Sequence, residues 1–370
     1  MCHIEIWLYP QCMASSVTGP LDVFAVANAI WAAQTKSQDK NHYPIQNQHQ
    51  PQPLFSWSLR SLDGAPVTTP TGIRLHADGP LGLADAASMA QRRHADVILL
   101  PGIYAGNGMR DILAALASVT GLYPVLREQH RQGSLLAANC SATVLLAEAG
   151  LLRGGHATTT WWLHRAFQAR YPDITLHTND ILNEYQGILT SGAATAYLDL
   201  ALHLTARYAG QEIAARVAKT LLIDANRSSQ APFMSLSQQE SQAHSDTLVL
   251  RAQHWMQKHV HLPFQLTKMA SHLAVTERTV IRHFHQALQL TPTAYMQQLK
   301  IELARRLLEN TTLSLDQVCE RTGYLDPSSF RRLFKRHTAL SPAQYRLQFR
   351  QKKVPPGKPE PALTTTVVLP

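Results

Sequence analysis

The chain has 370 residues, 45% of them hydrophobic and 16% charged, and its 34 Lys and Arg against 25 Asp and Glu give a formal charge of +9. This length and apolar content predict two or three domains with real cores. Met1 to Pro10 hold no basic n-region and no apolar run nears the roughly 18 residues that span a bilayer, so no membrane partner and a cytoplasmic location are expected. Four cysteines (Cys2, Cys12, Cys140, Cys319) with no CxxC pair exclude a disulfide framework and a zinc site. The 18 histidines show no HxxxH or carboxylate pairing on a helix that would make a ligand set, so no metal and no cofactor is expected.

In chain order, HIEIWLY (His3 to Tyr9) reads as a buried strand, and GPLDVFAVANAIWAA (Gly19 to Ala33) as an amphipathic helix that begins at Gly-Pro. Gln34 to Pro53, rich in Gln, Asn, His and Pro, reads as a solvated loop. FSWSLRSL (Phe55 to Leu62), ADVILLPG (Ala95 to Gly102) and GSLLAANC (Gly133 to Cys140) are further strands, the last two followed by Gly-containing loops or helices. Strands alternating with helices predict a parallel sheet in a doubly wound α/β fold.

Cys140 marks the sharpest junction. SLLAAN (Ser134 to Asn139) is an apolar strand and SATVLLAEAGLL (Ser141 to Leu152) an apolar helix with Gly150 near its last turn, which puts the cysteine on a strand-to-helix turn. A helix N-terminus there lowers a thiol pKa and offers backbone N–H groups to an anion, the arrangement of a nucleophile elbow. A small buried residue at a tight turn is the other reading. Asn139, Cys140 and Ser141 are candidates to line a pocket for a small polar or anionic ligand.

Asp224 to Ser245 is polar and rich in Ser and Gln, a linker with Pro232-Phe233-Met234 as an apolar anchor for the preceding domain. Beyond it the charge changes. Between Glu240 and Lys353, 17 Lys and Arg stand against 8 Asp and Glu, a balance of +9 that equals the formal charge of the whole chain. A polyanion partner held by one domain explains such confinement, whereas a basic surface kept for solubility would not leave the rest neutral.

The same region contains a repeat. TERTVIRHFHQALQLTPTAYMQQLK (Thr276 to Lys300) returns 50 residues later as DPSSFRRLFKRHTALSPAQYRLQFR (Asp326 to Arg350), sharing Arg282/Arg332, Phe284/Phe334, Leu290/Leu340, Pro292/Pro342, Tyr295/Tyr345 and Gln298/Gln348. Each copy predicts a helix capped by Thr276 or Asp326, with Val280 and Phe284, or Phe330 and Phe334, on its apolar face. Arg278, Ile281, Arg282 and His285 share the opposite face of the first copy, and Ser328, Arg331, Arg332 and Lys335 that of the second. A short amphipathic segment precedes each: Leu266 to Leu273, with small Ala270, and Leu315 to Thr322, with small Cys319. The offset of these small residues is 49, so the second turn, Gly323-Tyr324-Leu325, is one residue longer, and its glycine suits a helix C-cap. Two helices joined by a tight turn, the second with a basic outer face, form a helix-turn-helix. An ordinary helical bundle with solvated arginines has no reason to repeat a capped basic helix. Thr291 and Pro292 open a connecting helix to about Glu309, with Asn310 as its stop and a length of roughly 27 Å.

From Asp246 to Arg350 the chain resembles the AraC/XylS-type DNA-binding domain, most specifically in Gly323-Tyr324, Phe330, Arg332, Phe334, Lys335, Leu340-Ser341-Pro342 and Tyr345-Arg346. That resemblance implies that Arg278, Ile281, Arg282, Ser328, Ser329, Arg331 and Arg332 face base edges, with Thr276 and Lys335 completing the DNA-binding set. From His3 to Asp224, GPLDVF, ADVILLPG, AANCSA (Ala137 to Ala142), LAEAGLL (Leu146 to Leu152) and ATTTWW (Ala157 to Trp162) resemble the PfpI branch of the class I glutamine-amidotransferase-like superfamily. The order of the two resembles GlxA-type transcriptional regulators. The implied fold is a flavodoxin-like α/β domain followed by an all-α domain with two helix-turn-helix units.

In the superfamily's enzymes the elbow cysteine works with a carboxylate or a histidine, but this chain has Ser16 at the first position and Thr160 at the second, with His156 and His164 nearby. A thiolate without a positioned base loses its activation, so a ligand site that includes Thr160 is expected, with little or no turnover. The expected organisation is a sensor domain (1–224), a linker (225–245), a DNA-binding domain (246–350) and a flexible tail (351–370), the tail having five prolines and no period. The implied partners are double-stranded DNA, an unidentified small-molecule effector and RNA polymerase, with homodimerisation through the N-terminal domain. A PfpI-type cysteine-dependent hydrolase or hydratase with a basic appendage is the alternative, and a nucleic-acid module without sequence preference a third.

Overall fold

The computed structural model describes residues 1–39, 52–81, 95–234 and 246–350, which fall into two compact units, Met1–Met234 and Ser235–Pro370. The expected tail, the second half of the expected linker and most of the Gln-rich loop lie outside the described residues.

In the first unit, β1 (Cys2–Leu8), β2 (Phe55–Ser61), β5 (Gly79–Pro80), β6 (Val97–Leu100), β7 (Leu135–Asn139), β10 (Leu182–Tyr185) and β11 (Ile188–Ser191) form one sheet in the order β10-β11-β7-β6-β1-β2-β5. Two-residue pairs, β3 (Val67–Thr68) with β4 (Arg74–Leu75) and β8 (His156–Ala157) with β9 (Thr175–Leu176), stand apart. All sheet neighbours run parallel except β10 and β11. Parallel strands are covered on both faces, which is why β6 and β7 are buried at every residue. The chain steps from β1 to β2 and β5 in one direction, then returns to β6, β7 and β11 in the other. Such a reversal opens a crevice at the carboxyl ends of the central strands.

The helices of this unit are α1 (Ala14–Asp39), α2 (Met109–Ala117), α3 (Leu122–Arg131), α4 (Thr143–Glu148), α5 (His164–Arg170), α6 (Tyr197–Ala209) and α7 (Gln211–Thr220). Helix α1 corrects two expectations. It begins five residues before Gly19 and holds Pro20 inside it, so Gly-Pro is not its start. Gly19 is instead a close approach, since a Cβ there would lie 2.3 Å from the ring of Tyr197 on α6. The helix also continues to Asp39, because Gln34, Lys36 and Gln38 are good helix formers that composition had grouped with the loop. No single described helix is long and apolar enough to cross a membrane.

The second unit contains α8 (Thr247–Lys258), α9 (Leu266–His272), α10 (Glu277–Leu288), α11 (Pro292–Asn310), α12 (Leu315–Arg321), α13 (Pro327–Thr338) and α14 (Pro342–Phe349). The pairs α9–α10 and α12–α13 are two helix-turn-helix units joined by α11. Thr276 Oγ1 accepts from Thr279 N at 3.2 Å, and the Asp326 carboxylate from Ser328 N and Ser329 N at 3.0 and 2.9 Å. Both turns pass through the left-handed region, at Ala274 (φ 57°) and at Gly323 (φ 66°). Thr291 Oγ1 caps α11 by accepting from Ala294 N at 3.1 Å.

Each helix-turn-helix has its own core, and α11 is divided between them. Tyr295 and Met296 join Val280, Phe284 and Leu288 in the first cluster, whereas Ile301, Ala304 and Leu308 join Val318, Phe330, Phe334 and Tyr345 in the second. The repeat in the sequence is thus a repeat of packing: Phe284 meets Tyr295 at 5.8 Å, and Phe334 meets Tyr345 at 5.3 Å, both edge to face.

Candidate ligand site and nucleic-acid interface

Strand β7 ends at Asn139 and Cys140 follows with φ 57°, a left-handed conformation that costs a residue with a side chain on the order of 1 kcal/mol. A 3-10 turn over Cys140–Ala142 then leads into the six-residue helix α4. Local hydrogen bonds fix this turn. Ser141 Oγ accepts from Ile103 N at 2.8 Å and donates to Ile103 O at 2.6 Å, and the hydroxyls of Thr143 and Thr159 donate to Cys140 O at 3.1 and 2.9 Å. Gly102 stands opposite, where a Cβ would come 3.3 Å from that of Cys140.

Burial pushes the Cys140 thiol up, against the opposing pull of the Ser141 and Ala194 N–H groups and the Ser141 and Thr160 hydroxyls. The expected lowering is therefore corrected: the dipole of a 3-10 turn and a six-residue helix is weaker than complete desolvation. Neither position of the absent base supplies one. Ser16 is buried and accepts from Asn139 Nδ2 at 3.0 Å. Thr160 Oγ1 is buried beside Cys140 and makes no hydrogen bond of normal geometry. His156 pairs with Asn183 at 2.8 Å and His164 with Thr178 at 3.4 Å. Among the described residues no three His, Cys, Asp or Glu side chains gather as a metal site.

The candidates on this turn differ in what they can offer. Asn139 Nδ2 donates to Ser16 Oγ and Ala194 O, and its Oδ1 accepts from Ser191 Oγ at 2.8 Å. Ser141 is committed to Ile103. The Cys140 sulfur faces the Ser141 and Ala194 N–H groups and the Ser141 and Thr160 hydroxyls, and Thr160 Oγ1 is the side-chain oxygen here with no other hydrogen bond. Gln230, which composition placed in the linker, is buried and belongs here: its Nε2 donates to Thr159 O and Thr178 O, each at 2.9 Å, and its Oε1 accepts from Ala193 N at 2.8 Å. Residues 225–234 therefore lie against the first unit, with Ala231 and Pro232 buried and Phe233 half exposed. A glutamine among serines and glutamines gives no sequence signal of burial.

In the second unit Arg278, Arg282, Ser328, Ser329, Arg331, Arg332 and Lys335 are exposed on α10 and α13, and Ile281 is 41% exposed. They lie opposite the buried Val280, Phe284, Phe330 and Phe334. Among the described residues none of these five cations forms a salt bridge, and Arg332 Nη2 donates to Ser329 Oγ at 3.0 Å. Thr276 is exposed, but its hydroxyl serves the cap of α10 and pairs with Thr279 at 2.9 Å.

Residues 269–348 match the model of a helix-turn-helix domain and residues 55–207 that of the DJ-1/PfpI family. The HTH-type transcriptional regulator CdhR of Pseudomonas aeruginosa is 30% identical over 309 residues, 83% of this chain and 87% of that protein. GbdR of the same species is 26% identical, covering 81% of this chain and 77% of that one. GlxA of Rhizobium meliloti is 26% identical, covering 80% and 86%. Two capped helix-turn-helix units behind a doubly wound domain, matched along most of their length by such proteins, identify the chain as a member of the AraC-type HTH transcriptional regulators that carry an N-terminal DJ-1/PfpI domain.

Proposed function

We propose that this regulator's N-terminal domain binds a small polar or anionic effector beside Cys140 without turning it over, and that the outer faces of α10 and α13 read DNA. The observation that carries the first half is a buried thiol, raised in pKa, with Ser16 and Thr160 where an activating base would stand. Loss of an essential base costs orders of magnitude in rate, whereas binding needs only the contacts. Because Asn139 and Ser141 spend their side chains on the protein, an effector here would be held by the N–H groups of Ser141 and Ala194 and the Thr160 hydroxyl, which it takes over from the Cys140 sulfur. DNA, the effector, RNA polymerase and a second copy joined through the N-terminal domain are the proposed partners, in the cytoplasm.

Cys140→Ala is expected to leave the affinity for a selected DNA site within about twofold and to change only the response to effector, measured by reporter output across a library of small polar and anionic compounds. Turnover of an amide, isonitrile or glycated substrate by the purified chain, lost in Cys140→Ala, would replace this reading with a cysteine-dependent hydrolase.

The length of α11 sets a second expectation. Its 19 residues span about 28 Å, which with helix widths added is comparable to the roughly 34 Å between successive major-groove segments. One chain should protect two adjacent groove segments on one DNA face in hydroxyl-radical footprinting; protection of a single segment per chain would contradict it.

A further inference from the structure

The two helix-turn-helix cores share no buried apolar residue. The first ends on α11 with Met296, the second begins with Ile301, and between them stands Lys300. A lysine at that point would ordinarily be solvated. Here the side chain is 4% exposed, and its Nζ donates to Leu262 O at 2.7 Å, Thr322 O at 2.6 Å and Gly323 O at 3.4 Å.

The acceptors lie on both sides of the divide. Leu262 belongs to the loop between α8 and α9, on the side of the first helix-turn-helix. Thr322 and Gly323 end α12 and begin the turn into α13 in the second helix-turn-helix, where a cation at the carboxyl end of a helix is favourable. The Tyr324 ring stands 5.2 Å from Nζ. At Gly323 the backbones of the two helix-turn-helix regions nearly touch: a Cβ there would lie 2.6 Å from the Leu262 carbonyl carbon and 2.7 Å from Lys300 Nζ. Among the described residues no carboxylate pairs with the ammonium, whose three donors match three carbonyls. Burial pushes its pKa down to about 8, which still leaves it mainly protonated at neutral pH. A neutral amine would lose one donor and turn a lone pair toward a carbonyl.

We propose that Lys300 is the positioning residue that fixes the second helix-turn-helix relative to the first, and so sets the spacing at which one chain reads two groove segments. It touches no DNA; it acts by tying the Leu262 carbonyl to those of Thr322 and Gly323. Rigid linkage converts binding by the second helix-turn-helix into an intramolecular event with high effective concentration, which is lost when the geometry is loose.

The test starts from a duplex selected from a random pool by the full wild-type chain, a step that itself checks sequence-specific binding. Three probes follow: the complete site, each half-site alone, and complete sites with one base pair inserted or removed between the halves. Lys300→Met is expected to bind the half-sites within about twofold of wild type, to lose at least about tenfold on the complete site, and to discriminate less against altered spacing. Wild-type affinity and spacing preference in a folded Lys300→Met would overturn the proposal, as would equal losses on half and complete sites. If circular dichroism shows Lys300→Met unfolded, Lys300→Gln, with two N–H donors and no charge, is read in the same assay. Unchanged spacing preference in a folded Lys300→Gln, or failure of both variants to fold, overturns it equally.

Discussion

Phe334→Ala is expected to destabilise the second helix-turn-helix by about 3–5 kcal/mol. The ring is fully buried, lies 5.8 Å from that of Phe330 and 5.3 Å from that of Tyr345, and sits in a core that α11 reaches only with its second half. So small a cluster has little else to collapse into the cavity. Global melting does not isolate the effect in a chain with more than one cooperative unit, so amide hydrogen exchange is the suitable measurement. Protection should fall across α12, α13 and α14 while α9 and α10 keep theirs. Leu347→Ala, at a site 88% exposed, serves as the control and should stay within about 0.5 kcal/mol. Equal loss in both helix-turn-helix units would mean that the two cores melt as one.

The second large effect concerns base reading. Arg282 and Arg332 occupy equivalent places on α10 and α13, both exposed, and the bond from Arg332 to Ser329 holds its guanidinium over the first turn of its helix. Arginine matches the O6 and N7 acceptors of guanine in a bidentate pair, whereas Ile281 offers only apolar contact to a thymine methyl. Arg282→Ala or Arg332→Ala should each cost about 1–3 kcal/mol and relax the preference at one base position. Repeating the site selection with each variant at fixed salt is the check, because phosphate contacts alone make affinity salt-dependent without making it selective. Uniform weakening on every duplex, with the selected site unchanged, would assign these arginines to phosphates.

What could be read in the sequence was local. Thr276, Thr291 and Asp326 cap the helices expected of them because capping is decided within four residues. The extra residue of the second turn was visible in the offset between Ala270 and Cys319. Three features were hidden because each depends on distant neighbours. The start of α1 at Ala14 is one, because Pro20 carries the same local signal at a helix start and inside a helix. The Cys140 pKa moved opposite to expectation because burial is a tertiary quantity. Gln230 falls in a segment that composition reads as a polar linker, and nothing within a few positions of it announces the carbonyls that enclose it.

The sheet pairing described for the first unit also bears on the order in which the protein acquires structure. Ile4 pairs with Val97, 93 residues away, and β11 joins β7 still later in the chain. Loop closure of that length makes parallel sheets slow to form, whereas helical units built from sequence neighbours fold in microseconds to milliseconds. Synthesis at roughly 5–20 residues per second gives the sheet on the order of ten seconds before the helices that follow it are complete. The slow domain is made first and the fast one last, so a newly made chain with a finished helix-turn-helix region has already had that interval in which to assemble its N-terminal domain.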